Sequence, residues 1–359
     1  EEICSKLIKE SIDFIRIGHE HACTPTFDKS YLLKNKIKKY GKADEIRDYL
    51  QSVRVYVGTT AAIAATSNIF ELKQFDLAII DEASQILEPQ LIGLLTAGDG
   101  TAIRKFVFIG DQKQLPAVVL QSAKDSKVES EALQAIGMTD CRNSFFERLL
   151  NLSNHEKTIV YQLNKQGRMH SDVSSFINPT YYASMLENVP TPHQKQQSFY
   201  AVNPLDDPLS SLLRAHRMLC FHVESRSDET SDNINTEEAK LIAKIAKTTY
   251  DLFVINNKVF DPSHSLGVIV PYRSQIAMVR KSLENIGNDD LRKISIDTVE
   301  RYQGSERDVI IYGTTVKKSY QLDFLCANIF EEDGRVIDRK LNVSITRARE
   351  QMILVGNRS

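Results

Sequence analysis

Two adjacent carboxylates, Asp81 and Glu82, stand directly after an apolar run at residues 75–80, "FDLAII". Such a pair at the end of a strand can hold Mg²⁺ with one acid while the other polarises an attacking water. At the frayed end of a strand both can face one cleft, although in a regular strand they would point to opposite faces. A surface turn with two solvated acids is the alternative, and the pair taken alone favours it. Further residues must therefore define the site.

Four more segments carry polar groups beside apolar runs, as this pair does. Their candidate residues are Gln114 in "GDQKQLPAVV", Arg168 in "QGRMH", Gly304 and Glu306 in "TVERYQGSERDVII", and Arg347 and Arg349 in "LNVSITRARE". Phosphoryl transfer needs charge stabilisation more than covalent chemistry. A carboxylate for Mg²⁺, a polar sensor and arginines for a terminal phosphate are the parts it requires.

The elements that must position these residues alternate between strand and helix. Apolar runs such as "KFVFIGD" and "LGVIVPY" predict strands, and helices are predicted at residues 88–95 and from about Asn235. This alternation predicts parallel α/β sheets, which gather ligands at the carboxyl ends of their strands. The pattern divides near residue 155 into two α/β layers.

Composition excludes several classes of protein. The chain has 359 residues, 42% of them hydrophobic, with a formal net charge of −2. Any nucleic-acid contact must therefore come from a local groove and not from a globally basic surface. The five cysteines are scattered and form no Cys-x-x-Cys pair, which favours a reducing interior. Without a transmembrane-length run or a signal-peptide pattern, we expect an intracellular location, cytoplasmic or nuclear, and no membrane partner.

In their order along the chain, these segments resemble the motifs of superfamily 1 helicases. The forms "DEASQ" and "TVERYQGSE" are similar to its 5′-to-3′ branch, which contains the nonsense-mediated-decay helicase, senataxin and the Okazaki-fragment helicase-nuclease. The resemblance implies an α/β fold with two RecA-like parallel-sheet domains of the P-loop NTPase type. The first would span residues 1–155, incomplete at its N-terminus and with insertion remnants at 18–52 and 121–155. The second would span 156–359.

The resemblance also implies roles around Mg-ATP. Asp81 would hold Mg²⁺, and Glu82 would be the catalytic base. Gln114 would contact the γ-phosphate and water, and Arg168 and Arg347 would reach the γ-phosphate, Arg347 as an arginine finger. Two further residues would lie near the ribose and phosphates, Gly304 and Glu306. Arg349 would support the loop that presents Arg347.

A second set of residues would contact single-stranded DNA or RNA. The resemblance places Thr59, Thr60 and Thr298 at the nucleic-acid backbone, with Tyr272 and Arg273 on the same side of the channel. No motif distinguishes DNA from RNA.

Two features depart from the family pattern. Gly167 stands where many relatives have a tyrosine that stacks on adenine. The phosphate-binding loop G-x-x-x-x-G-K-[ST] is absent, since Gly41–Lys42 is followed by Ala43 and lacks the first glycine. The opening "EEICSKL" resembles the helix that follows the next motif. We therefore expect a fragment, with possible further domains before residue 1.

The sequence thus predicts an ATP-hydrolysing helicase or translocase motor core that tracks 5′ to 3′ and unwinds duplex, inactive as the 359-residue fragment alone. A non-catalytic nucleic-acid-binding or scaffolding module derived from a helicase is the alternative. The combined presence of Glu82, Gln114, Arg168 and Arg347 argues against that alternative, because a binding module needs no γ-phosphate sensors.

Overall fold

The computed structural model describes residues 1–153, 156, 158–196, 199–201, 207–224, 231–332 and 334–357. The chain divides into two compact units. The first comprises Glu1–Gln112 and Pro116–Val160, and the second comprises Lys113–Leu115 and Tyr161–Ser359. Among the described residues, no helix is both long and apolar enough to cross a membrane.

The first unit is built mainly of short helices. In chain order its elements are α1 (Glu2–Lys9), β1 (Ile15–Arg16), α2 (Leu33–Ile37), α3 (Ala43–Ser52), β2 (Tyr56–Val57), α4 (Thr60–Ala64), α5 (Ile69–Leu72), β3 (Ala78–Ile80), α6 (Glu88–Leu95), β4 (Phe106–Phe108), α7 (Ala123–Ser126), α8 (Glu131–Ala135) and α9 (Phe145–Ser153).

The strands of the first unit form two separate parallel pairs, β1 with β2 and β3 with β4. Ile80 is buried in the core of this unit, against which Phe106 and Phe108 pack. On the opposite face Ile79 and Val107, which are paired in register, are 62% and 44% exposed. The predicted helix at residues 88–95 is confirmed as α6.

The second unit holds the larger sheet. Its elements are β5 (Lys165–Gln166), α10 (Ser171–Tyr181), β6 (Glu187–Asn188), α11 (Pro192–Lys195), α12 (Pro208–Ala215), β7 (Met218–His222), α13 (Thr236–Ile255), β8 (Leu266–Ile269), α14 (Arg273–Glu284), α15 (Asp289–Lys293), β9 (Ser295–Asp297), α16 (Val299–Tyr302), β10 (Arg307–Gly313), α17 (Tyr320–Leu325), β11 (Ile329–Glu332), β12 (Arg335–Asp338), α18 (Arg339–Thr346) and β13 (Ala348–Gly356).

Five parallel strands form this sheet in the order β7-β13-β10-β8-β9. Both of its faces are buried, as expected for a parallel sheet whose crossover helices cover each side. In β10, Val309 and Ile311 join one core cluster, whereas Ile310 and Tyr312 join another. The alternation follows from the two-residue repeat of a strand. The order of the strands, in turn, sets which loops are neighbours at the carboxyl edge.

Asn235 starts the longest helix, α13, as the sequence predicts. Its side-chain oxygen accepts a hydrogen bond from the backbone N–H of Glu238 at 3.0 Å. A side-chain acceptor at this position satisfies one of the N–H groups that the first helical turn leaves unpaired. The α/β fold with parallel sheets expected from the sequence is therefore present.

Candidate nucleotide and nucleic-acid sites

The two carboxylates of the opening motif lie where β3 ends. Asp81 follows the last strand residue, and its Oδ1 accepts a hydrogen bond from the backbone N–H of Glu82 at 3.0 Å. Glu82 has left-handed backbone angles, φ 53° and ψ 36°. Such a backbone costs a non-glycine residue about 1 kcal/mol or more. It breaks the strand's alternation, and both side chains are exposed.

Glu82 is held by its own turn. A 3-10 turn at Ala83–Gln85 follows it, and Gln85 Nε2 donates to Glu82 Oε2 at 2.5 Å. The carboxylate thus has one polar neighbour that fixes its direction and remains open to solvent. A base that orients water needs both properties.

The loop after β4 approaches the same turn. A Cβ at Gly110 would lie 2.8 Å from the backbone nitrogen of Ser84, so only glycine permits this contact. The next residue, Asp111, donates its backbone N–H to Ser84 Oγ at 3.3 Å. The ends of two neighbouring strands therefore meet beside Asp81 and Glu82, as predicted for a parallel pair.

Asp81 is compatible with Mg²⁺ as a single protein ligand. Among the described residues, no group of three or more His, Cys, Asp or Glu side chains could hold a metal ion. Mg²⁺ usually takes one or two carboxylates and fills its remaining positions with water and substrate phosphates. The exposed Asp81 fits that pattern, whereas a closed metal site built only from protein does not fit the described residues.

In the second unit, a cluster of charged side chains surrounds Glu306. Arg168 Nε donates to Glu306 Oε2 at 2.7 Å, and Arg349 Nε lies 3.7 Å from Glu306 Oε1. Arg349 also contacts Asp308, with 3.3 Å between Nη1 and Oδ1. Burial raises the pKa of Asp308, and the Arg349 charge opposes that rise. Two arginines thus share one half-exposed glutamate.

Arg347 is far more buried than the other two arginines, at 2% exposure. Its Nε donates to the carbonyl of Val343 at 3.1 Å. Its Nη2 donates to Thr346 Oγ1 at 3.1 Å and to Gln114 Oε1 at 3.3 Å. The structure therefore joins the predicted sensor glutamine to the predicted arginine finger within the second unit.

Gln114 reaches Arg347 because the short segment Lys113–Leu115 packs in the second unit. Leu115 is buried in the core cluster that includes Met352. Asn342 Nδ2 donates to the carbonyl of Lys113 at 2.8 Å, and Lys113 Nζ donates to the carbonyl of Tyr181 at 3.0 Å. The anchors Lys113 and Asn342 were missed at the sequence level, and no signal there pairs residues so distant in the chain.

Gly304 lies in the loop between α16 and β10. Its φ is 77°, and a Cβ built on it would contact nothing within 4 Å. Space is not limiting here, so the left-handed backbone is what favours glycine. The turn leads into Glu306 and on to β10.

The predicted nucleic-acid residues fall into two groups, one in each unit. In the first unit, Thr59 caps α4, since its Oγ1 accepts from the backbone N–H of Ala62 at 3.2 Å. Thr60 is the first residue of that helix and is half-buried. A hydroxyl that caps a helix keeps a fixed position.

In the second unit, Tyr272, Arg273 and Thr298 lie at one edge of the sheet. Tyr272 and Arg273 begin α14 shortly after β8, and Thr298 follows β9 directly. The two strands are parallel neighbours, with Ile269 opposite Asp297. The family resemblance predicts that these residues lie on one side of a channel, and the sheet brings their loops to the same edge.

Phe324 stacks on Tyr272 and was missed at the sequence level. Their ring centroids lie 5.2 Å apart with an interplanar angle of 19°. The segment "VKKSYQLDF", in which lysines and aromatic residues are interleaved, was the available signal.

Comparison with known proteins shows which family models match this chain. Two models described as AAA domain match the chain, one over residues 28–122 and the other over residues 141–359. The second covers more than half of the chain.

Curated relatives align with most of the chain. The DNA replication ATP-dependent helicase/nuclease DNA2 of Homo sapiens is 29% identical over 384 residues, 99% of this chain and 31% of that protein. Helicase sen1 of Schizosaccharomyces pombe is 30% identical over 285 residues, 79% of this chain and 14% of that protein. An uncharacterized ATP-dependent helicase of Methanocaldococcus jannaschii is 27% identical over 341 residues, 91% of this chain and 43% of that protein.

The chain spans about a third of the length of the DNA2 proteins that it matches. Among solved structures, a complex of Arterivirus nonstructural protein 10 (helicase) with DNA aligns with 99% of this chain and 50% of that chain. Its TM-score is 0.44 at 13% identity.

The expected family is confirmed by these matches. The ranges matched by the AAA domain models, 28–122 and 141–359, contain the motif-bearing segments that the sequence singled out, and the curated relatives are helicases. The chain therefore belongs to the AAA domain family, in agreement with its resemblance to the superfamily 1 helicases.

Proposed function

We propose that this chain forms the ATP-hydrolysing motor region of a helicase that tracks 5′ to 3′ along single-stranded nucleic acid and unwinds duplex. The carrying observation is the contact between Arg347 and Gln114, 3.3 Å apart, in the same unit as the Arg168–Glu306 pair. Phosphoryl transfer is catalysed mainly by charges placed around the transferring group. A buried arginine that contacts a polar sensor supplies such a charge in a defined position.

Each of the proposed motor domains, 1–155 and 156–359, carries residues with a proposed role in nucleotide binding or hydrolysis. Asp81 would hold Mg²⁺, which neutralises phosphate charge when bound, and Glu82 would orient the attacking water. Gln114, Arg168 and Arg347 would contact the γ-phosphate. Gly304 and Glu306 would lie near the ribose and phosphates.

The residues present provide only part of a nucleotide site. The 359 residues contain no G-x-x-x-x-G-K-[ST] segment, the loop whose backbone N–H groups and lysine cradle the β- and γ-phosphates. We therefore expect weak Mg-ATP binding by this chain on its own.

The proposed track is single-stranded DNA or RNA. Thr59, Thr60 and Thr298 would contact its backbone, with Tyr272 and Arg273 beside them. Arg273 is exposed and forms no ion pair with any residue that the structure describes, so its charge is available to a phosphate. All five cysteines are free, which fits a reducing cytoplasmic or nuclear compartment.

A second candidate function is a nucleic-acid-binding module without turnover. The missing phosphate loop favours it, and the pairing of Gln114 with Arg347 favours the motor. Turnover separates the two candidates.

The test measures ATP hydrolysis by the protein expressed from its complete reading frame, with and without single-stranded oligonucleotide. The motor predicts hydrolysis that rises on adding the strand. Oligonucleotide binding with no hydrolysis would leave the non-catalytic module. In parallel, titration calorimetry of the 359-residue chain with Mg-ATP checks the weak binding expected here, and tight micromolar binding would require a nucleotide site built differently.

A further inference from the structure

The second unit encloses the side chain of Lys113 almost completely, and the residue is 7% exposed. Its Nζ donates to the carbonyl of Tyr181 at 3.0 Å and forms an ion pair with the carboxylate of Glu332. The same ammonium group lies 5.9 Å from the centroid of the Tyr182 ring. Tyr181 ends α10 and Glu332 ends β11, so the lysine joins this helix to the antiparallel hairpin of β11 and β12.

The backbone of Lys113 is held as well as its side chain. Asn342 Nδ2, on α18, donates to the carbonyl of Lys113 at 2.8 Å and to the hydroxyl of Tyr182 at 3.1 Å. Two residues further along the chain from Lys113, Leu115 is 3% exposed and belongs to a core cluster of the second unit. Gln114 is therefore half-buried between two neighbours that are both anchored in this unit.

An enclosed ammonium group is a costly way to fill space. Removing a charge from water costs free energy, which is offset only when the charge is paired and hydrogen-bonded. An apolar side chain of similar volume would fill the same space without that cost. The paired ammonium adds direction, because its carbonyl and carboxylate partners restrict where the backbone of Lys113 can lie.

Gln114 is the residue whose position depends on this restraint. Its Oε1 accepts a hydrogen bond from Arg347 Nη2 at 3.3 Å, at the long end of hydrogen-bond distances. Because the contact is long, a small displacement of the Gln114 backbone would break it. Misplacing a catalytic group by about 1 Å can lower a rate by about 10²-fold.

We propose that Lys113 is a positioning residue for ATP hydrolysis, which holds the backbone of Gln114 so that the glutamine side chain faces Arg347. The hairpin of β11 and β12 takes part through Glu332. This inference deepens the proposed function and rests on it, since it assigns how the sensor glutamine is kept in place. Lys113 contacts no nucleotide in this proposal and acts through Gln114.

The test measures kcat and KM for ATP on the protein expressed from its complete reading frame, with saturating oligonucleotide. Lys113→Met keeps an apolar stem and removes the ammonium group. We expect kcat to fall roughly 10- to 100-fold, because the sensor glutamine is misplaced. KM should stay within about threefold of the wild type, since Lys113 does not bind ATP itself.

A double-mutant cycle separates positioning from damage to the fold. In a Gln114→Ala background no sensor side chain remains to be positioned, so adding Lys113→Met should lower kcat by less than about twofold. A merely structural role predicts the same loss in both backgrounds. Affinity for ADP with aluminium fluoride, a mimic of the transferring phosphoryl group, gives the same cycle without depending on residual turnover.

Lys340→Met is the matched control. Lys340 is 6% exposed, and its Nζ lies 3.1 Å from the carbonyl oxygen of Phe324 and 3.5 Å from the carboxylate of Glu300. It therefore resembles Lys113 in burial and in its types of partner, but those partners lie on α17 and α16. Urea denaturation should show similar losses of stability for the two variants, whereas kcat of Lys340→Met should stay within about threefold of the wild type.

Three outcomes would overturn the inference. One is an unchanged kcat in Lys113→Met, and another is an equal loss with and without the Gln114 side chain. The third is a loss of kcat in Lys340→Met as large as that in Lys113→Met. If the wild-type protein hydrolyses no ATP, the proposed function itself fails, and that result is distinct from the first three.

Discussion

At the scale of single residues, the three arginines of the motif segments differ in burial. Arg347 is enclosed, with donors to Val343, Thr346 and Gln114, whereas Arg168 and Arg349 remain half-exposed on Glu306. A buried guanidinium keeps its position because each donor has a partner, and its charge acts in a low-dielectric surrounding. In the proposed mechanism, a substitution of Arg347 would therefore affect both catalysis and stability.

Replacing Arg347 by alanine should lower ATP turnover by about 10³-fold or more, the range found when an arginine finger is removed. ATP turnover is measured on the protein expressed from its complete reading frame, with saturating oligonucleotide. Arg349→Ala is the matched control and should lose much less, since the Arg349 side chain pairs with the carboxylates of Glu306 and Asp308. If the turnover of Arg347→Ala stayed within tenfold of the wild type, Arg347 would not be an arginine finger.

Replacing Glu82 by glutamine should leave ATP binding intact and nearly abolish hydrolysis. The amide keeps the shape of the side chain but cannot accept a proton from water. Because Glu82 is exposed, stability should change by about 0.5 kcal/mol or less. Nucleotide binding and turnover are measured on the same preparation, and near-normal turnover would remove Glu82 from the role of base.

At the scale of elements, a buried glutamate joins α13 to the end of β10. Glu238 is fully buried, and its Oε2 accepts from the backbone N–H of Thr315 at 2.8 Å. Its Oε1 accepts from Thr315 Oγ1 at 3.0 Å and from Gln275 Nε2 at 3.2 Å. Thr315 has a left-handed backbone, φ 54°, which these bonds stabilise. The loop that leads to α17 depends on this network.

Glu238→Gln should lower the free energy of unfolding by about 1–3 kcal/mol, because the new amide N–H₂ would face existing donors and leave one unsatisfied. Urea denaturation followed by circular dichroism gives the value. Glu237→Gln is the control, since its carboxylate forms a partly exposed pair with Lys240 and should change stability by about 0.5 kcal/mol or less. Equal effects of the two substitutions would exclude a special role for the buried network.

At the scale of the whole molecule, the two units differ in how their sheets are built. The second unit has five parallel strands buried on both faces, with Val309 and Ile310 fully enclosed. The first has only two-stranded pairs among its described residues, and Ile79 of β3 is exposed. A two-stranded pair gains little from burial and is marginal by itself.

Hydrogen exchange should therefore be slowest in the centre of β10 and β13 and clearly faster in β3 and β4. Local opening needs least free energy where few apolar contacts are lost. Mass spectrometry of exchanging peptides measures this on the 359-residue chain, with β8 as an internal reference in the same sheet as β10. If β3 and β4 were protected from exchange as strongly as β10, the predicted difference in local stability between the two sheets would be wrong.

Much of the fold and part of the candidate site could be predicted from local pattern. The helix at 88–95 and the cap at Asn235 follow from residues that are neighbours in the chain. Asp81 and Glu82 are recognisable because the end of a strand shows in the sequence as an apolar run followed by polar residues. The left-handed turn at Glu82 and the two separate strand pairs of the first unit are not local, since they depend on which loops and strands meet.

The sequence by itself determined the order of the motifs, the alternation of strands and helices, and hence the family. Those features are periodic or contiguous, and short-range physics sets them. Only the tertiary structure decided that Gln114 contacts Arg347, which is 233 residues further along the chain, and that Phe324 stacks on Tyr272. The first contact lies at the amino end of β13, and the second lies beyond the carboxyl ends of β8 and β10. Which strands become neighbours, and hence which loops meet, depends on packing on both faces of the sheet.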